Sequence, residues 1–420
     1  MKFIDIKPAP RRAMFIAAVV VLAIVHWYIG KWGLGNMVST RADRIDIADV
    51  AVGFAPADPQ THYAAAVLYD QTFIAADQQR SLSEYEQAVA LSPNNYILWL
   101  EYGKALERSG DSARAETALK RALELAPNYA AVEWALGNLL VRNGKTVAGF
   151  EQIQKAVEGN PDLAGSAAAF AYQFFDGDLD RTRSVAGSSP RANAALALLL
   201  ARQKRFNEAA AIWQTVGQPS NDDSIVSAGT SLISEFITAK KFALAQKVGS
   251  ALDPSTGSTP EKIRDGGFEE AIKLERATPF EWRIEPGTQP QVLQSTSQPH
   301  GGERSLVLRY SSNDGSGVRT ISQSVVVRPS TRYSLSGFYH SDLKPEVKLV
   351  WQIADAANGA VIAEIPLQPA GGWTQFSGNL QSPGDTDAIT LRLTVKNCGS
   401  PLCPINGSVW LDDVELKPIQ

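Results

Sequence analysis

Four prolines recur at a constant interval in the first half of the chain. Pro59, Pro93, Pro127 and Pro161 stand 34 residues apart. Proline cannot continue a helix, so each of them marks a boundary between helical units. A fixed period of this size is the sequence signature of a helical repeat array, in which every unit packs on its neighbours. Together with helical patterns beyond residue 161, the spacing predicts about five or six helical pairs between residues 59 and 254.

The clearest unit follows Pro93 and has the pattern of two helices joined at Gly110 and Asp111. It resembles a tetratricopeptide repeat at Trp99, Gly103, Ala115, Leu119, Ala122 and Pro127. The next unit retains Leu136, Gly137, Ala156 and Pro161, but has Gly149 where the family usually has alanine. The resemblance implies an all-α solenoid over residues 40–255, in which small residues let paired helices approach closely.

Beyond residue 161 the period weakens, but helical patterns continue. We expect further helices over 167–175, 193–204, 207–216, 224–239 and 242–252. The acidic run 176–180 between them lacks the closing Glu of a calcium loop, and we interpret it as a solvated turn.

The first helices of such an array line its concave face, where partners of the family usually bind. Two matching rows of side chains, at i, i+4 and i+8 of successive units, are predicted to share this face. They are Leu100, Lys104 and Arg108 in one unit, and Trp134, Asn138 and Arg142 in the next. An aromatic ring beside an amide and a cation can hold an extended peptide. The alternative is that Trp134 packs on the neighbouring repeat.

The N-terminus contains a candidate membrane span. Residues 13–30 carry no charged side chain. The length of this apolar run approaches that needed to cross a bilayer. Four basic residues precede the apolar run, and aromatic residues follow it: Lys2, Lys7, Arg11 and Arg12, then Trp27, Tyr28 and Trp32. This polarity predicts a cytoplasmic basic tail (1–12), a single-pass anchor (13–32) in a bacterial inner membrane, and a periplasmic remainder.

A cleaved signal peptide is the alternative for this segment. Signal peptides have a shorter apolar run, followed by a cleavage site of small residues. The sequence after the run, from Lys31 to Leu34, is a poor match to such a site. Cys398 and Cys403 lie in a turn-rich stretch, and we expect them to form a disulfide outside the cytosol. Two unpaired thiols are the alternative.

Composition changes after a Pro/Ser/Thr/Gly-rich linker at 254–260. Alternating patterns predict eight short strands at 305–310, 320–327, 332–340, 347–354, 360–367, 374–380, 389–395 and 408–416, which indicates an all-β sandwich. Several segments in order resemble the jelly-roll carbohydrate-binding modules of the galactose-binding-like group. They are DGGFE at 265–269, YSLSGFY at 333–339, GWT at 372–374 and VWLDDVEL at 409–416. The resemblance implies a jelly-roll domain over residues 260–420.

The resemblance also implies two kinds of site. Glu269, with one of Asp412 and Asp413, would help to hold a structural calcium ion, because this ion prefers carboxylate oxygens. Exposed aromatic rings with a nearby amide would bind a glycan, and the candidates are Tyr339, Trp351, Gln352 and Trp373. The alternatives are a solvated Glu with a turn Asp, and tryptophans at 282, 373 and 410 that belong to the core. Many domains of this group bind no sugar.

Charge and motif content exclude several classes of protein. Forty Lys and Arg against 44 Asp and Glu leave a net charge of −4, which argues against a nucleic-acid partner. The four histidines and two cysteines form no zinc-binding pattern. Motifs of Ser hydrolases, zinc peptidases, P-loop proteins and dinucleotide-binding domains are missing from the sequence, so we expect no enzymatic activity.

These patterns predict a multidomain protein: a transmembrane helix, an all-α solenoid and an all-β jelly roll. We expect a periplasmic scaffold whose repeats bind a protein and whose sandwich binds a glycan or a protein, in surface-polysaccharide synthesis or export. One alternative is an envelope assembly factor that binds proteins only. Another is a glycan-active enzyme with an unrecognised site.

Overall fold

The structure is a computed structural model that describes residues 9–72, 74–217, 222–253, 259–274, 277–313, 318–344, 348–396 and 404–419. The chain divides into two compact units, residues 1–192 and 193–420. The predicted boundary between helical and β domains, near 255–260, stays a prediction. Cys398 and Cys403, and the disulfide predicted between them, lie outside the described residues.

The first unit begins with a long apolar helix, α1 (Ala9–Ser39). From Arg12 onward it is long and apolar enough to cross a membrane, and its apolar window is not covered by the rest of the chain. A signal sequence has the same properties. The helix continues past the predicted end of the anchor at 32 because no proline interrupts it before Ser39. A short helix that the sequence did not reveal, α2 (Ile45–Phe54), packs against α1.

Helical pairs follow in the first unit. Their helices are α3 (Pro59–Asp70), α4 (Ala75–Leu91), α5 (Tyr96–Arg108), α6 (Ser112–Leu125), α7 (Ala130–Arg142), α8 (Thr146–Gly159), α9 (Ala164–Phe174) and α10 (Leu179–Ala186), with a 3₁₀ turn at Pro161–Leu163. Side chains fix where they start: Asp58 accepts from the Gln60 amide at the N-terminus of α3, and Asn95 accepts from the Ile97 amide at α5. The repeat period thus corresponds to real helix pairs.

Small residues allow the close approach within each pair. A Cβ atom at Gly103 in α5 would lie 2.7 Å from the Leu119 side chain in α6. Gly149 occupies the usual alanine position because the backbones of the next pair are closer: its added Cβ would lie 2.8 Å from the Gly137 carbonyl oxygen, whereas the nearest backbone atom of α6 to a Cβ at Gly103 is 3.3 Å away. Larger side chains, including Tyr85 and Leu106, fill the space between pairs. The departure from the family pattern at Gly149 is therefore a packing requirement.

Four more helices come next along the chain: α11 (Pro190–Arg202), α12 (Phe206–Gln214), α13 (Asp223–Thr238) and α14 (Phe242–Leu252). Counted over the described residues, α3 to α14 make six pairs, the upper end of the expected number. Within the second unit, the Asp387 carboxylate accepts hydrogen bonds from the Phe242 and Ala243 amides at 3.2 and 2.9 Å. A residue from the β domain thus caps the last helix.

The C-terminal region is a sandwich of two antiparallel sheets. Its strands are β1 (Arg283–Ile284), β2 (Gln291–Ser295), β3 (Ser305–Ser312), β4 (Ile321–Val326), β5 (Arg332–Ser341), β6 (Leu349–Asp355), β7 (Val361–Leu367), β8 (Thr374–Gln381), β9 (Ala388–Val395) and β10 (Ile405–Pro418). The sheet orders are β1-β4-β9-β6-β7 and β2-β3-β10-β5-β8. All eight predicted strands are present, and β1 and β2 are additional. The core between the sheets contains Trp351, Tyr333 and Phe268.

Candidate functional site

The structure places some of the predicted protein-binding residues in the core of the repeat array and others in contacts within their own helix or between repeats. Leu100 is buried, and Trp134 packs against the apolar cluster formed with the following helices. Asn138 donates to the Trp134 carbonyl oxygen at 2.8 Å, and Lys104 pairs with Glu101 on its own helix at 2.8 Å. The expectation that Leu100 lines an open surface is corrected, because the core of the array covers it.

The two arginines of the predicted rows join successive first helices. Arg108 in α5 pairs with Asp70 at the end of α3 at 2.5 Å, and Arg142 in α7 pairs with Glu107 in α5 at 2.6 Å. The Arg108 and Arg142 side chains remain 45% and 64% exposed. They can therefore contact a partner while they hold neighbouring repeats in register.

The four predicted glycan-binding residues do not form one site. Trp351 and Gln352 belong to β6 in one sheet, whereas Tyr339 belongs to β5 in the other sheet and Trp373 directly precedes β8 of that sheet. Trp351 is fully buried, and Tyr339 is buried with its hydroxyl donating to the Gln368 carbonyl at 2.5 Å. Neither ring is open to a sugar, so both predictions are corrected. Gln352 lies on the outer face of its sheet and contacts Glu364 at 3.5 Å.

Trp373 belongs instead to a group of rings on the outer face of the second sheet. We call this group the aromatic patch: His300, Phe338, His340, Trp373 and Trp410. Trp410 and His340 are neighbours across β10 and β5, with stacked rings 4.0 Å apart. His300 stacks on Phe338 at 3.6 Å. The Trp373 ring is steeply inclined to both imidazoles, with each ring centroid 5.6 Å away, so neither histidine stacks on it in parallel.

All five rings of the aromatic patch are at least partly exposed. Burial lowers the pKa of His340 below its ordinary value, against the opposing effect of Asp342. The imidazole is therefore mainly uncharged at neutral pH, and it acts as an apolar stacking partner for Trp410. The Trp373 indole donates to the Gln298 carbonyl at 3.3 Å, which fixes the ring at the edge of the group. The result is a rigid, mostly apolar surface with polar atoms at its border.

The three predicted calcium ligands converge on one segment beside the aromatic patch, residues 300–304. The Asp412 carboxylate accepts from the His300 and Gly301 amides at 2.8 and 3.1 Å. Asp413 contacts His300 Nδ1 at 2.7 Å, and Glu269 accepts from the amides of residues 303 and 304 at 2.8 and 3.2 Å. Burial raises the pKa of Asp412, while these amide hydrogen bonds oppose the rise.

These carboxylates hold the loop that carries His300 onto Phe338. They are therefore positioning residues for the aromatic patch. Over the part of the chain that the structure describes, no group of three His, Cys, Asp or Glu side chains could hold a metal ion.

Sequence reasoning missed four members of the aromatic patch, although strand alternation carries the signal. In β10, Val409 and Leu411 point into the core, so Trp410 between them must point outward. In β5, Leu335 and Tyr339 point inward, which places Phe338 and His340 on the outer face. The alternative that assigned Trp282 to the core is confirmed, whereas Trp373 and Trp410 are partly exposed.

The chain is similar to one protein-family model and to several solved structures. A model of the tetratricopeptide repeat family matches residues 76–130 and 103–164. No curated protein matches the chain in sequence. Among solved structures, a protein described as "CBM4 structure and function" is 14% identical, covers 37% of this chain and 99% of its own, with a TM-score of 0.30.

Two further solved structures are similar to parts of this chain. TmCBM61 in complex with β-1,4-galactotriose is 18% identical, covers 39% of this chain and 100% of its own, with a TM-score of 0.28. PilF of Pseudomonas aeruginosa is 16% identical, covers 56% of this chain and 94% of its own, with a TM-score of 0.30. This chain thus contains tetratricopeptide repeats followed by a β-sandwich that has carbohydrate-binding modules among its structural neighbours.

Proposed function

We propose that this protein is an adaptor anchored in the bacterial inner membrane by α1, with its bulk in the periplasm. Its repeats bind a protein, and its sandwich binds a glycan in surface-polysaccharide synthesis or export. The repeat family match supports protein binding, since stacked helical repeats create extended binding surfaces. The anchor rests on the length and apolar character of α1.

The proposal of glycan binding rests on the aromatic patch. A sugar ring presents apolar C–H groups on its face and hydroxyls around its edge, so an aromatic face with polar atoms at its border suits it. Trp373 supplies this combination: neither neighbouring imidazole stacks on it in parallel, and its indole N–H donates to the Gln298 carbonyl at its edge. Trp373 is therefore the residue on which a sugar would stack.

The test is titration calorimetry of the detergent-solubilised full chain against purified surface polysaccharide. Trp373→Ala should abolish the binding heat. Tyr129→Ala is the matched control, because it removes an exposed aromatic ring from the repeats and should leave the heat unchanged. Binding that survives Trp373→Ala would remove the aromatic patch from the glycan site. An absence of heat with every polysaccharide would reject glycan binding altogether.

A purely protein-binding adaptor is the second candidate. It is favoured by the mutual stacking within two ring pairs of the aromatic patch, His340 with Trp410 and His300 with Phe338, because these faces are already occupied. Affinity purification from envelope extracts, with wild type and with the Arg108→Ala/Arg142→Ala double variant, tests it. Loss of one stoichiometric protein in the variant, together with no polysaccharide heat, would support this function over glycan binding.

A structural calcium ion at Glu269, Asp412 and Asp413 is a separate proposal. The donor oxygens suit calcium, but in this structure backbone amides and His300 already use several of them. Thermal melting of the full chain in calcium and in EGTA tests the proposal. A higher melting temperature in calcium that disappears in Glu269→Gln would support it, and equal melting in the two buffers would reject it.

A further inference from the structure

The first helices of the repeats run in the same direction, so their N-terminal ends share one edge of the array. Near these ends, the rings of Tyr96 and Tyr129 lie 5.0 Å apart. Near the opposite ends, the ion pairs Asp70–Arg108 and Glu107–Arg142 join α3 to α5 and α5 to α7. We call the side with the N-terminal ends the anchor edge. Its turns before α3, α5 and α7 are residues 55–58, 92–95 and 126–129.

Helix α1 reaches the array at this edge. Asn36 in α1 donates to the carboxylate of Asp58, the residue that caps α3, at 2.9 Å. Gly35 is so close to the end of α2 that an added Cβ would lie 2.6 Å from Ala55 Cβ. The last turns of α1 are therefore part of the folded repeats, and no flexible linker separates the apolar helix from the anchor edge.

Helix geometry then sets the height of the anchor edge above the membrane. If the hydrocarbon core ends at Trp32, Asn36 lies about 6 Å above it, at a rise of 1.5 Å per residue. The headgroup layer on each side of a bilayer is roughly 5–8 Å thick. The turn that precedes α3 thus lies within the headgroup layer, and the turns before α5 and α7 continue along the same edge.

The two edges of the array differ in charge, and the anchor edge has fewer charged residues in its turns, as a place in the headgroup layer would favour. The three turns of the anchor edge contain one charged residue, Asp58, and it is buried. Leu91, Ile97 and Tyr129 on this edge are 39%, 45% and 47% exposed. Within the same repeats, the turns that follow α5 and α7 on the opposite edge carry charges instead: Asp111 and Lys145. Tyr and aliphatic side chains without charge are suited to the membrane interface.

We propose that the anchor edge rests in the headgroup layer of the bilayer, so that Leu91, Ile97 and Tyr129 contact lipid. This proposal depends on the membrane anchoring proposed above. It fixes the repeats with their first helices upright on the membrane, and it leaves the charged edge facing the aqueous compartment.

The experiment uses the full chain, with Cys398→Ser and Cys403→Ser, reconstituted into phosphatidylethanolamine/phosphatidylglycerol liposomes. Single cysteines are introduced by Ile97→Cys on the anchor edge and by Val147→Cys, a 76% exposed position at the start of α8 on the opposite edge. Each is labelled with an environment-sensitive fluorophore. The readout is quenching by headgroup spin-labelled lipid, and flotation of the liposomes reports anchoring independently.

We expect roughly twofold or greater quenching of the label at position 97, and little at position 147, because only an interfacial side chain meets the headgroup quencher. Equal quenching at both positions in protein that floats with the liposomes would overturn the proposal while leaving the anchor intact. A blue-shifted but unquenched label at 97 would also overturn it, since a protein then covers the edge. Protein that does not float would reject both anchoring and this proposal.

Discussion

Gly149 provides a sharp test of how closely the repeat helices are packed. A methyl group added there would lie 2.5 Å from Val141 Cγ2, 2.8 Å from the Val141 amide nitrogen and 2.8 Å from the Gly137 carbonyl oxygen. Two of these atoms belong to the backbone, so a change of rotamer cannot relieve the overlap and α7 and α8 must separate. We expect Gly149→Ala to destabilise the protein, although alanine is the usual family residue at this position.

Two opposing effects set the magnitude. Replacing glycine by alanine inside a helix gains about 1 kcal/mol from helix propensity. Overpacking a close contact costs about 1–3 kcal/mol, and the rigid backbone atoms place this cost near the upper end. The net loss in the free energy of unfolding is therefore about 1–2 kcal/mol, which lowers the melting temperature by about 2–8 °C for a unit of this size.

The assay is thermal melting of the full chain in detergent, with hydrogen-exchange mass spectrometry on peptides from α7 and α8. Gly53→Ala in α2 is the control, because no heavy atom lies within 4 Å of the added methyl group. The control should melt at or slightly above the wild-type temperature, and its exchange in α7 and α8 should not change. Wild-type melting and exchange in Gly149→Ala would refute the reasoning.

Three further predictions concern polar contacts. The hydrogen bond to Glu84 (2.6 Å) raises the pKa of His62, against the lowering effect of burial, so the folded state holds this proton more tightly than the unfolded state. The stabilisation from this hydrogen bond is full below the ordinary histidine pKa of 6.5 and is lost as the pH rises through the folded-state pKa of His62. The difference in melting temperature between wild type and His62→Gln should shrink over that range. Asp412→Ala leaves the partly exposed amides of the 300–301 segment without this charged acceptor, and urea unfolding of the sandwich should show a loss of about 1–2 kcal/mol. Asp387→Ala removes the cap of α14, and hydrogen exchange in that helix should rise in line with a loss of about 1 kcal/mol.

The helical repeats could be predicted from the sequence because several independent sequence features indicate the same structure. The proline period, the small residues at 103 and 115 and the large residue at 119 all describe one packing arrangement. Helix α2 was missed because it precedes the first proline of the series and has no partner at the same spacing. The short strands β1 and β2 were missed because two and five residues are too few to display an alternating pattern.

The aromatic residues of the sandwich show a different limit. Trp351 lies in β6, where nearly every residue is buried. Its apolar neighbours Val350 and Ile353 therefore do not indicate which face of the strand is exposed. Trp410 lies between two core residues, and its outward direction follows from alternation alone. The position of His300 on Phe338 depends on a contact across more than 100 residues of chain, from His300 to Asp412. No local pattern encodes such a contact.

The ion pairs along the first helices have a consequence for how this array can evolve. Helix α5 presents Arg108 to the preceding repeat and Glu107 to the following one. If the 34-residue unit that contains α5 were duplicated in tandem, Glu107 of the first copy would face Arg108 of the second at the same sequence separation that now joins Glu107 to Arg142. The complementary charges would survive the insertion. The array can thus lengthen by whole units, and so extend its reach, without any compensating substitution at the new junction.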